Sequence, residues 1–112
     1  MNLSHIGFSQ IELLVALVDT GSFSQAASDI GVSQSAVSHG LARLETELGV
    51  TLVERGRRGI SLTEAGREVL GHAREVLRRL DAIRQAAAAA SLLASFVLAL
   101  RRLFSRSLRR GS

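Results

Sequence analysis

The sequence predicts a mainly α fold with one small β-hairpin, in which short helices form a domain and a single long helix follows. Three observations predict it. Apolar residues recur at spacings of three and four along most of the 112 residues, the period of a helix face. Proline is absent, and glycines stand between the periodic segments, where they can stop helices. The β-prone residues gather in two short pieces, 51–53 and 60–62, around a loop of glycine and arginine.

Each element has a local reason. Ser9 precedes QIELLVALV with Glu12 three residues on, the spacing of a capping box, and Phe8 and Leu13 take the staple positions. A helix is expected over about 10–19, with Ile11, Leu14, Val15 and Val18 inward and Thr20-Gly21 as its end. Ser22-Phe23-Ser24-Gln25 repeats the box and opens a two-turn helix, 23–30, whose Ala26, Ala27 and Ile30 point to the core. Gly31-Val32-Ser33 is the break, and Ser33 can cap the next helix, 34–46.

That helix carries two faces. Val37, Leu41, Leu44 and Leu48 make a stripe to bury. Gln34, Ser35, Ser38 and Ala42 fall on the other side, with His39 at its edge. Short hydrogen-bonding groups on a closely approachable face suit the edges of bases in a groove. Gly40 lies mid-helix, where glycine costs about 1 kcal/mol relative to alanine; it either permits a close approach or is simply tolerated. A short helix, a tight turn and a longer helix together form a helix-turn-helix.

After Gly49 the pieces 51–53 and 60–62 flank residues 54–59, a loop that holds Arg55, Arg57 and Arg58 and reads as a wing with a cationic tip. Arginine suits both phosphate and minor groove. Thr63 caps the last helix and Glu64 sits in its first turn. Nothing breaks this helix before about residue 90; Gly66 and Gly71 only weaken it. Val69, Ala73, Val76, Leu80 and Ile83 repeat along one side of it. At 1.5 Å per residue it is about 40 Å long, more than a small domain can cover. Its exposed length is expected to pair with the same helix of a second chain. The expected division is therefore 1–63 for the winged domain, 64–91 for the dimerisation helix and 92–112 for a tail.

Composition excludes several functions. With no cysteine there is no disulfide and no thiolate metal site, and a reducing, cytoplasmic setting is expected. Residues 1–12 show neither a basic start nor an apolar run, so no secretion signal is read there. His5, His39 and His72 are scattered over three segments, and no HExxH, GxSxG or phosphate-binding glycine loop occurs. No enzyme, cofactor or metal is expected. All fourteen basic residues are arginine: nine against ten acids in 1–91, then five against none in 92–112. Bulk charge does not mark the folded part as a nucleic-acid binder; placement of the arginines has to.

The pieces GSFSQAA, VSQSAVS, LARLETELG and LTEAG occur in one order, and over residues 2 to about 90 the chain resembles the N-terminal domain of LysR-type transcriptional regulators. The resemblance implies a winged helix-turn-helix, a long dimerising linker helix and a dimer on a partly palindromic promoter. It places base and backbone contacts on Gln34, Ser35, Ser38 and His39, and wing contacts on Arg55, Arg57 and Arg58. Ser22 and Ser24, at the head of the preceding helix, are expected to meet phosphate. Ser35 stands where proline is usual and His39 where arginine is common, which weakens the expectation of a guanine contact at His39.

The expected partners are double-stranded promoter DNA and a second copy of the chain. Another functional class is also open: an interaction module that heterodimerises with a full-length relative and modulates it without DNA. Family members continue into an effector-binding domain, whereas residues 92–112 here read LLASFVLALRRLFSRSLRRGS. No small-molecule effector site is expected in this chain. The tail either extends the linker helix, forms a basic amphipathic segment that touches membrane or DNA, or is the non-native end of a truncated or frame-shifted gene. Its apolar run, 92–100, is about half of a membrane span, and a membrane partner is not expected.

Overall fold

The structure is a computed structural model that describes residues 6–110, with side chains through Leu108. His5 and the extreme N-terminus lie outside the described residues. In chain order come α1 (Phe8–Thr20), α2 (Phe23–Ile30), α3 (Gln34–Leu48), β1 (Val53–Gly56), β2 (Gly59–Leu62) and α4 (Glu64–Arg110). This is the mainly helical fold with one hairpin that the sequence predicts. The chain divides into two compact units, 1–77 and 78–112, with the boundary inside α4.

Within the first unit, α1, α2 and α3 pack on one another. Leu14, Leu17, Val37 and Leu52 are the largest fully buried side chains. Leu13 and Leu17 join Leu14 and Val15 in the core, so α1 is enclosed on more than the single stripe expected of it. Ile60 and Leu62 of the hairpin, and Val69, Leu70 and Leu77 of α4, pack against the same cluster. Each of the first three helices ends on a glycine in the left-handed region, Gly21, Gly31 and Gly49, with φ of 69, 74 and 72°. That conformation is cheap only without a Cβ.

The expected caps hold at three helices and fail at one. Ser22 Oγ accepts from the amide of Gln25, Ser33 Oγ from that of Ala36 and Thr63 Oγ1 from that of Gly66. The helix expected to start after Ser9 starts two residues earlier. Gly7 is its N-cap, and the Gly7 amide donates to Gln10 Oε1 at 3.0 Å. Gln10 is buried, so its reach back to the chain satisfies a polar group that Ser9 and Glu12, both exposed, do not need to satisfy.

The first strand also differs from expectation, running 53–56 instead of 51–53. Glu45 Oε2 accepts from the amides of Leu52 and Val53 at 2.6 and 3.2 Å. A carboxylate from α3 thereby takes donors that a longer ladder would have used. Pairing runs from Val53 opposite Leu62 to Gly56 opposite Gly59, leaving Arg57-Arg58 as a two-residue turn.

Gly66 is more than a weak point in α4. A Cβ there would collide with the Leu52 carbonyl oxygen, so the helix approaches the wing as closely as backbone allows. Gly40 has a related role, since a Cβ on it would lie 2.6 Å from Leu13 Cδ1 in α1. α4 itself does not stop near residue 90 but runs unbroken to Arg110. From 81 to 108 every residue is exposed. By length and composition alone, α4 contains a stretch long and apolar enough to cross a membrane, more than the run 92–100 suggests.

Candidate nucleic-acid interface

The head of α3 presents the polar face expected of it. Gln34, Ser35 and His39 are exposed and Ser38 is half-buried. With Ala42 they border one shallow depression. Val37, Leu41 and Leu44, on the opposite side, are buried. The stripe therefore anchors the helix and leaves its short polar groups to the surface.

A second depression joins α2, α3 and both strands of the hairpin. Ser22, Phe23 and Ser24 from the start of α2, Gln34 from α3 and Arg55 from β1 all border it. Gln34 is common to both depressions. Ser24 is exposed, whereas Ser22 is half-buried and its hydroxyl oxygen already caps α2. Arg57 and Arg58 stand exposed at the tip of the hairpin, bordering neither depression.

Arg55 has a different setting from its two neighbours. Its Nη2 donates to Ser38 Oγ at 2.9 Å, and its guanidinium lies 3.6 Å over the centroid of the Phe23 ring. Phe23 is buried at the start of α2. One arginine of the wing thus touches both helices of the helix-turn-helix, with charge over an aromatic face and a donor on a serine of the polar face. The resemblance places Arg55 at the start of the wing, apart from Arg57 and Arg58 in its tip, but the sequence does not reveal Phe23 as its seat. Nothing local to either residue signals the pair, because they come together only when the hairpin folds onto α2.

The five residues of the expected dimerisation stripe are not alike. Ala73 is buried in the domain core and Val69 packs partly against it. Val76 is 43% and Ile83 64% exposed, and Leu80 is half-buried. Only the later members keep surface for a partner. Across the first unit, Arg74 Nη2 donates to Asp19 Oδ1 at 2.7 Å, linking α4 to the end of α1. That bond holds the Arg74 guanidinium above its ordinary pKa, partly offset by burial. Among the described residues no group of three His, Asp or Glu side chains is placed to hold a metal ion.

Residues 8–67 match the model of the bacterial regulatory helix-turn-helix proteins of the lysR family. The chain belongs to the LysR family. An uncharacterized HTH-type transcriptional regulator of Bacillus subtilis, YvbU, is 42% identical over 82 residues, which are 72% of this chain and 28% of that one. A probable hydrogen peroxide-inducible genes activator of Mycobacterium xenopi is 47% identical over 81 residues, 72% of this chain and 43% of its own length. Among solved structures, the CbnR DNA-binding domain in complex with DNA superposes with a TM-score of 0.70 at 35% identity, over 77% of this chain and 99% of that one. This LysR-family chain therefore spans less than half the length of these curated relatives and nearly all of a DNA-binding domain. Its family is one of regulators, not enzymes.

Proposed function

We propose that this LysR-family chain reads double-stranded promoter DNA as a two-fold dimer and so regulates transcription. α3 enters the major groove with Gln34, Ser35, Ser38 and His39 toward the bases. Arg57 and Arg58 meet phosphate or minor groove, and Ser24 meets phosphate at the head of α2. The observation that carries this reading is the exposed polar head of α3, continuous through Gln34 with the groove between α2 and the wing. The match over nearly the whole of a domain solved on DNA supports it.

Dimerisation through Val76, Leu80 and Ile83 completes the proposal. One winged domain offers few base contacts, and two-fold proteins gain specificity from paired half-sites about one helical turn apart. Selection from random duplexes followed by binding titration tests both parts. The selected fragments are expected to contain two related half-sites. Gln34→Ala and Ser38→Ala are each expected to weaken binding by about 1–3 kcal/mol for a base that the side chain reads, with the thermal melt unchanged. Unchanged affinity with an unchanged melt rejects this face as the reader. Combined Val76→Asp and Leu80→Asp is expected to yield monomers by sedimentation equilibrium, because it sets unpaired charge in an apolar interface. Tight binding to the paired site should go with it, leaving weak, salt-sensitive binding. If the variant remains dimeric, the dimer is held elsewhere.

A further inference from the structure

In the last four to five turns of α4 the charge begins only at Arg101, and around the helix it keeps to one side. At 100° per residue, Leu92, Phe96, Leu100, Leu103, Phe104 and Leu108 fall within an arc of about 160°, interrupted by Ser107. Arg101, Arg102 and Arg106 lie outside that arc, sharing the other side with Ser95, Ser105, two alanines and one leucine, Leu98. The apolar members are open to solvent: Leu92 is 73%, Leu103 65% and Phe104 67% exposed. No acidic residue follows Asp81.

We propose that 92–108 is a docking surface for an anionic lipid bilayer, lying in the headgroup plane with its apolar arc toward the acyl chains. A wide apolar face, aromatic residues within it and arginine on the other side are what an interfacial helix requires. The arginines supply charge complementary to anionic headgroups, and their aliphatic stems reach up from the edge of the arc.

Other occupants fit the residues less well. A second copy would need the linker's spacing to continue. Extended from Ile83 by fours and threes, it meets Ala87, Ala90, Ala94, Val97 and then Arg101, placing charge in the seam. A stretch of α4 long and apolar enough to span has to include charge, because only 85–100 is free of it, 16 residues, or about 24 Å against about 30 Å of hydrocarbon. It would also carry Arg101, Arg102 and Arg106 inward with the apolar residues beyond them. DNA would engage the arginines and leave the leucines and phenylalanines in water.

The test is flotation of the full chain with phosphatidylcholine–phosphatidylglycerol vesicles against pure phosphatidylcholine, at low and high salt. Binding to the anionic vesicles is expected to be stronger by on the order of tenfold or more, and to weaken with salt. Leu103→Asp with Phe104→Asp should abolish it; Arg101→Gln with Arg102→Gln and Arg106→Gln should erase the preference for anionic lipid. All five side chains are exposed, so the melt of the winged domain checks that folding is intact. The chain has no tryptophan, so Phe104→Trp provides a clean reporter whose emission should shift to the blue on anionic vesicles only. The proposal is overturned by failure to float with either vesicle. It is equally overturned if the arginine variant loses random-duplex affinity while vesicle binding is absent, if the aspartate variant turns a dimer into a monomer without any vesicle binding, or if the bound chain resists alkaline extraction as a spanning helix does.

Discussion

The two units of this chain treat hydrophobic residues in opposite ways. In the first, leucines of four different elements close on each other, and Leu14, Leu17 and Leu52 are fully buried. In the second, no residue from 81 to 108 is covered, although Leu92, Phe96, Leu103 and Phe104 are as apolar as anything in the core. Composition alone therefore does not decide burial. What decides it is whether other elements pack on a face, as α1, α2 and α3 do on one another. The first unit is stabilised by its own contacts; the apolar residues of the second have none of comparable burial among the described residues.

The largest expected effect separates the two units directly. Leu14→Ala removes a fully buried side chain from the centre of α1 and should cost about 2–5 kcal/mol. Leu103→Ala removes an equally large but exposed one and should stay within about 0.5 kcal/mol. Paired thermal or urea melts measure both, and similar losses would show that the tail is covered in solution. A second contrast lies within α4. Gly66→Ala drives a methyl into the Leu52 carbonyl and should destabilise by about 1–3 kcal/mol, whereas nothing crowds Gly71, so Gly71→Ala should stabilise by about 0.5–1 kcal/mol. If both glycines behave alike in chemical denaturation, the close approach of α4 to the wing is wrong.

A finer contrast divides the wing. Arg55→Ala gives up the stack on Phe23 and the bond to Ser38, a loss of about 0.5–1 kcal/mol in the melt, and should reduce specific more than nonspecific DNA binding. Arg57→Ala with Arg58→Ala should leave the melt unchanged. It should instead lower the slope of log K against log salt by about one for each phosphate no longer neutralised. Salt titrations of the two variants distinguish the roles; identical slopes would give Arg55 the same role as the tip arginines.

Much of the fold is legible in the sequence because its signals are local. Ser22, Ser33 and Thr63 cap, and Gly21, Gly31 and Gly49 terminate, using atoms within a few residues of themselves. The polar head of α3 is legible for the same reason, since the buried Val37-Leu41-Leu44 stripe dictates where Gln34 and His39 point. What escapes depends on partners that a cap or turn signal does not name. Gln10 displaces Ser9 as the group that organises the start of α1. The wing begins late because Glu45 claims its first amides. Val69 and Ala73, periodic with Val76 and Ile83, are drawn into their own core, and no periodicity tells which turns of a long helix the domain will cover.

The Glu45 carboxylate also acts as a mechanical part. It closes a bracket from the last turns of α3 to the first residues of β1, spanning the Gly49 turn, and Arg55 closes a second from β1 back to Ser38. Two braces at separate points make a triangulated frame: helix and hairpin can neither hinge apart nor slide past one another without breaking one of them. A partner that meets both surfaces meets a helix and a hairpin already braced to one another. Part of the ordering entropy is spent when the chain folds, so less of it is subtracted from affinity when the partner arrives.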